Sequence, residues 1–192
     1  MISIFRLLNC DHVTNRKISI LLLMIACSYS VISGCNSVSP NEYFDEAVLN
    51  CNLMNGFSND GLLRELESPS FRLVAGTNTS TVMKRKEVID NKIKYLEDNL
   101  AKIQQLPETA DTRDLLHASI SLYNYVLPVY KNEYHQLADL YDYSASNAEI
   151  ETFARQIHDR HYSRFEELFN KLVSIGKPYA AKHHIIVNWD SF

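Results

Sequence analysis

Histidines and cysteines are the residues of this chain best suited to chemistry, and their spacing says which chemistry. His158-Asp-Arg-His161 puts two imidazoles three residues apart, a separation at which both can ligate one metal ion. Glu166 and Glu167 follow a turn later. Asp114-Leu-Leu-His117 is a loose analogue of the Glu-x-x-His motif of di-iron bundles, which need that motif on two helices plus two further carboxylates. The spacing places no such set. Met54 with a histidine of the last helix would suit haem, but no Cys-x-x-Cys-His attachment motif is present. The expectation is therefore no metal and no cofactor. His161 reads as a hydrogen-bonded seam residue, His158 as a boundary residue, and Met54 as core. The alternative is a metal- or haem-binding bundle using His158 and His161.

Hydrolytic chemistry finds less support. There is no Gly-x-Ser-x-Gly, no His-Glu-x-x-His and no phosphate loop. Glu166 and Glu167 are adjacent, so on a helix they point in different directions. No catalytic residue is expected, and the chain reads as a non-enzyme.

Cys35 carries the most specific chemistry. Arg6, Arg16 and Lys17 precede an apolar run from Ile18 to Ile32, and Ser33, Gly34 and Cys35 follow. The run is shorter than the roughly 20 apolar residues of a spanning helix. It ends in small residues, as a processed secretory signal does. Ile32-Ser33-Gly34-Cys35 resembles the bacterial lipobox, in which diacylglycerol is placed on the thiol and the chain is cut just before it. That resemblance implies lipidation of Cys35 and a permanent membrane tether, since two or more acyl chains hold a protein on a bilayer. Asn36, rather than aspartate, follows the cysteine and points to the outer membrane. With Cys35 lipidated, Cys51 has no disulfide partner and reads as a small buried hydrophobe.

These assignments divide the chain into a signal peptide over 1–34, a polar tether over 35–41 and a helical domain over 42–192. The 158 residues from Cys35 onward form one domain by size. They carry 16 Lys/Arg against 22 Asp/Glu. An acidic chain without a basic block excludes nucleic acid as a partner. Lys84-Arg85-Lys86 reads as a solvated face.

Helices must position these groups. Phe44, Ala47, Val48, Cys51, Met54 and Phe57 predict a first helix from Asn41, with Gly56 and Gly61 bending or breaking it before Leu62. Residues 68 to 80 read as a loop. A second helix is predicted from Ser80 to Gln105 with a seam of Val82, Ile89, Ile93, Leu96, Leu100 and Ile103. The third spans Thr112 to Tyr143, kinked at Pro128, and carries six tyrosines that favour a contact surface. Ser146 and Glu149 form a capping box for the fourth. Its seam runs from Ile150 through His161 to Ile175, and Tyr179 and His183 extend the register past Gly176 and Pro178. Ile185 to Trp189 should pack across the helices. The expected fold is all-α, an antiparallel up-down four-helix bundle. Any small-molecule pocket should interrupt the seam near Pro128.

Tyr123-Asn-Tyr125, Asn132-Glu-Tyr134 and the closing Tyr179-Ala-Ala-Lys-His-His184 resemble a family of bacterial surface lipoproteins of leptospires and Bacteroidota, whose ending is Phe-Ala-Lys-Lys-His. The resemblance covers about the last hundred residues. It implies a helical protein of the cell envelope, with the membrane as partner through lipid and an envelope protein or other envelope component as a second partner. It supplies no catalytic residue.

Overall fold

The structure, a computed structural model, describes residues 38–189 apart from Asn55 and Asn59. The expected signal peptide, 1–34, and Cys35 lie outside the described residues. The domain that begins at Val38 is mostly helical.

Helix α1 spans Pro40–Ala47. Ser39 caps it, its Oγ accepting from the Glu42 N–H at 3.2 Å, and Pro40 takes the first turn, where a missing N–H costs nothing. The predicted first helix does not continue. It tightens into a 3₁₀ segment, Leu49–Met54, and then turns through Gly56 (φ 91°) and Ser58 (φ 59°) into α2, Asp60–Glu67. The apolar spacing survives the change of winding, so Phe44, Ala47, Val48, Cys51, Met54 and Phe57 are all fully buried.

Residues 68–80 are more than a loop, and this corrects the sequence reading. Phe71–Leu73 (β1) and Ser80–Val82 (β2) pair antiparallel, with Phe71 opposite Val82 and Leu73 opposite Ser80. The next helix, α3, therefore starts at Arg85 and ends at Gln105. Val82 leaves the predicted seam and is 55% exposed. Nor is Lys84-Arg85-Lys86 simply solvated. Asp142 accepts from the N–H groups of Arg85 (2.8 Å) and Lys86 (3.1 Å), and the Arg85 guanidinium reaches the Leu66 carbonyl at 2.8 Å. A lysine at the cap position has no acceptor to offer, so a carboxylate from another element supplies it.

Helix α4 spans Arg113–Val129. A π turn, Tyr130–Tyr134, then joins it without interruption to α5, His135–Asp142. Pro128 cannot donate and its ring crowds the preceding turn; the expected irregularity takes the form of this π turn. Helix α6 runs unbroken over Asn147–Lys182. Ser146 and Glu149 form the predicted capping box. Neither Gly176 nor Pro178 stops the helix. Gly176 is needed for proximity: a Cβ there would sit 3.3 Å from Val48 Cγ2, so glycine lets the chain after α1 lie close against α6.

The ends of the elements are tied in two groups. Tyr43 Oη donates to the Pro107 carbonyl at 2.7 Å, and Tyr179 Oη to that of Pro40 at 3.5 Å. Asp111, just before α4, meets Lys182 Nζ at 2.5 Å and His183 Nε2 at 2.7 Å, just where α6 ends. Lys182 first, then His183, holds the Asp111 carboxyl below its usual range. At the opposite ends, Asp142 joins α5 to α3. The tail packs as expected: Trp189 meets Phe44 edge-on at 5.9 Å, and Lys177 Nζ lies 5.5 Å from the indole centre.

Candidate functional site

His158 and His161 project from one face of α6 but serve different partners. The His158 Nδ1 lies 2.6 Å from the Ser58 carbonyl. A carbonyl only accepts, so Nδ1 carries the proton and Nε2 is left with its lone pair when the ring is neutral. The ring stacks on Tyr162, centroids 4.8 Å apart. Through this bond His158 pins the left-handed turn at Ser58, whose N–H donates to Tyr134 Oη at 2.7 Å.

His161 belongs to a chain of three groups. Its Nδ1 lies 3.0 Å from Tyr125 Oη, and its Nε2 lies 2.5 Å from Glu133 Oε2. Burial pushes the Tyr125 hydroxyl above its usual range. Facing a carboxylate, which accepts, Nε2 carries the ring proton; Nδ1 of the neutral ring then accepts from the Tyr125 hydroxyl, which also lies 3.4 Å from the His161 carbonyl. Glu133 Oε2 and His161 Nε2 are buried and have no other polar partner among the described residues; one proton between them satisfies both. The other Glu133 oxygen pairs with Arg160. Glu133 stands in the π turn, where the altered winding shifts side chains out of ordinary helical register. No 3.6-residue period could have aimed it at His161.

Among the described residues no three His, Cys, Asp or Glu side chains gather as a metal site. The two histidines of the metal alternative have their Nδ1 atoms on separate partners. Asp114 and His117 are exposed, and His117 turns to Glu108 at 2.9 Å. Glu167 pairs with Arg164 at 2.5 Å, and Glu166 accepts from Tyr162 at 3.5 Å. Met54 is core. His183, whose neighbour His184 is exposed, ends α6 on Asp111. Burial pushes the Cys51 thiol up to about 12, so at neutral pH it holds no thiolate able to attack a substrate.

The tyrosine-rich helix is not the contact surface expected from sequence. Tyr123, Tyr130 and Tyr134 are buried. Tyr130 and Tyr134 stack at 4.8 Å, and Phe57 packs on both, at 5.6 and 5.8 Å. Of the six, Tyr143 is fully on the surface. Burial follows the core-facing stripe of the helix and ignores residue type.

A cavity of about 320 Å³ opens beside the His158 turn, near the lower limit for small-ligand sites. Leu63 of α2, Leu137 of α5 and Ala154 and Ile157 of α6 form its apolar walls. Glu151, Arg155 and His158, on one side of α6, supply polar groups, and Ser58 and Tyr134 complete the lining. The cavity lies beyond the π turn, against Tyr134 and Leu137, and not at Pro128 as expected from sequence. The π turn already absorbs the irregularity that Pro128 creates; the cavity arises instead where short α2 stands against α5 and α6.

Among the described residues no helix is long and apolar enough to cross a membrane. No family model, curated protein or solved structure matches this chain.

Proposed function

We propose that the chain is a lipid-anchored protein of the bacterial envelope, cut before Cys35 and held by diacylglycerol on that thiol. Its helical domain binds an envelope component or small ligand and does not catalyse. One observation carries the anchor: Ile32-Ser33-Gly34-Cys35 closes an apolar run of signal length that follows Arg16 and Lys17. Asn36 favours the outer membrane. The Tyr-Asn-Tyr, Asn-Glu-Tyr and His-His signatures add their likeness to surface lipoproteins.

The domain itself is proposed to be an antiparallel up-down four-helix bundle. The support is the pairing of ends: the start of α1 with the ends of α3 and α6, the start of α4 with the end of α6, and the start of α3 with the end of α5. A binding role is supported by the cavity beside His158, whose charged groups Glu151 and Arg155 lie on one helix beside apolar walls.

Growth of cells expressing the full chain with labelled glycerol, which enters diacylglycerol, tests the reading. The wild type should take up label and Cys35→Ala should not. An unlabelled wild type, or equal labelling of both forms, would overturn the anchor. Whole-cell cross-linking should then join the anchored form to an envelope component.

A further inference from the structure

Resting on the binding role proposed above, we infer that the cavity beside His158 takes a small zwitterion with an apolar body, the chemistry of an apolar α-amino acid. Glu151 and Arg155 both line the cavity and stand one turn apart on α6. A glutamate four residues before a basic residue is the arrangement that favours an ion pair along a helix. Yet neither side chain makes an ion pair or hydrogen bond among the described residues. Among the described residues the two opposite charges thus stand at the lip of one apolar space without an ion pair between them.

The other polar groups of the lining are already engaged: Ser58 Oγ donates to the Ile157 carbonyl, and Tyr134 Oη accepts from the Ser58 N–H. His158 commits its Nδ1 proton to the Ser58 carbonyl, 2.6 Å away, so the neutral ring offers the cavity no second donor. With Glu151 beside Arg155, a simple anion meets repulsion as well as attraction, and a simple cation the same. A ligand carrying both charges on neighbouring atoms meets attraction at each. Its carboxylate would face the Arg155 guanidinium, a planar donor suited to carboxylates, and its ammonium would face Glu151. Its side chain would lie against Leu63, Leu137, Ala154 and Ile157. The volume of about 320 Å³ accommodates a body of that size.

Calorimetric titration of the full-length protein in detergent, with L-leucine, 4-methylpentanoate and 3-methylbutylamine as probes, tests this. L-leucine should bind at least tenfold more tightly than either probe with one charge. Arg155→Gln should weaken L-leucine and 4-methylpentanoate at least tenfold and should not weaken 3-methylbutylamine, which loses a like charge; Glu151→Gln should weaken L-leucine and 3-methylbutylamine and should not weaken 4-methylpentanoate. Both residues are exposed, and circular dichroism verifies that the variants fold. Absence of heat with all three probes, equal affinity for L-leucine and a one-charge probe, or indifference of L-leucine to both substitutions would each overturn the inference. Incorporation of labelled glycerol by the wild type against Cys35→Ala reads the anchor independently, so failure of one does not imply failure of the other.

Discussion

The His161 imidazole and the Glu133 carboxylate approach to 2.5 Å, Nε2 to Oε2, with both side chains about 15% exposed (14% and 16%). The contact ties α6 to the π turn, and Tyr125 completes it from α4. Glu133→Ala would strand the His161 proton and should cost about 1–3 kcal/mol. Glu133→Gln keeps an oxygen acceptor in place and should cost clearly less. Urea denaturation of the two variants checks the order; equal losses would mean that packing, and not the shared proton, matters here.

A second contact between elements is as specific. Asp142 caps α3 from the end of α5, replacing an acceptor that Lys84 cannot provide. Asp142→Ala should destabilise the domain by about 1–2 kcal/mol. The loss should be accompanied by faster amide exchange at Arg85 and Lys86. Unchanged exchange there would remove the capping role.

The Tyr130 hydroxyl is fully buried and has no hydrogen-bond partner among the described residues. Leaving such a group unpaired costs roughly 1–3 kcal/mol. Tyr130→Phe keeps the stack on Tyr134 and removes the burden. It should hold or raise the melting temperature, by about 2–4 °C per kcal/mol in a domain of this size. A fall in melting temperature would show that the hydroxyl has a partner.

Much of this was legible in the sequence. Ile150, Ile157, Phe165, Leu168 and Leu172 form the buried stripe of α6, because a 3.6-residue period and one-sided burial are the same fact. The Ser146–Glu149 box is local and equally readable. The break after Ala47 was hidden because helical and 3₁₀ winding bury the same apolar positions there. The hairpin was hidden because strands of three exposed residues have no core to alternate against. For the site, His158 and His161 were singled out, but not their partners. Ser58 is a hundred residues from His158, and Glu133 reaches His161 through a change of winding that follows Pro128. Glu151 and Arg155 carried no signal beyond an ordinary helix pair.

Alkaline titration probes the buried hydroxyls together. Burial raises Tyr123, Tyr130 and Tyr134 above the usual 10.0, and raises the Cys51 thiol from 9.0 to about 12. These acids keep their protons in the fold while the unfolded chain gives them up. Their contribution to stability is therefore whole below about pH 9 and declines as pH rises from there towards the folded values. Tyrosinate absorbance should show a late group of phenols that ionise together with loss of the helical circular dichroism signal. Ionisation of all tyrosines in one step, before unfolding, would contradict the burial described.

Intact-mass analysis of the protein extracted from the membrane fraction tests the proposed anchor at Cys35 most directly. The expected result is a chain that begins at Cys35 and carries the added mass of diacylglycerol, with Cys35→Ala yielding neither the cut nor the added mass. A membrane-fraction protein that retains residues 1–34, or that begins at Cys35 with a free thiol, would contradict it.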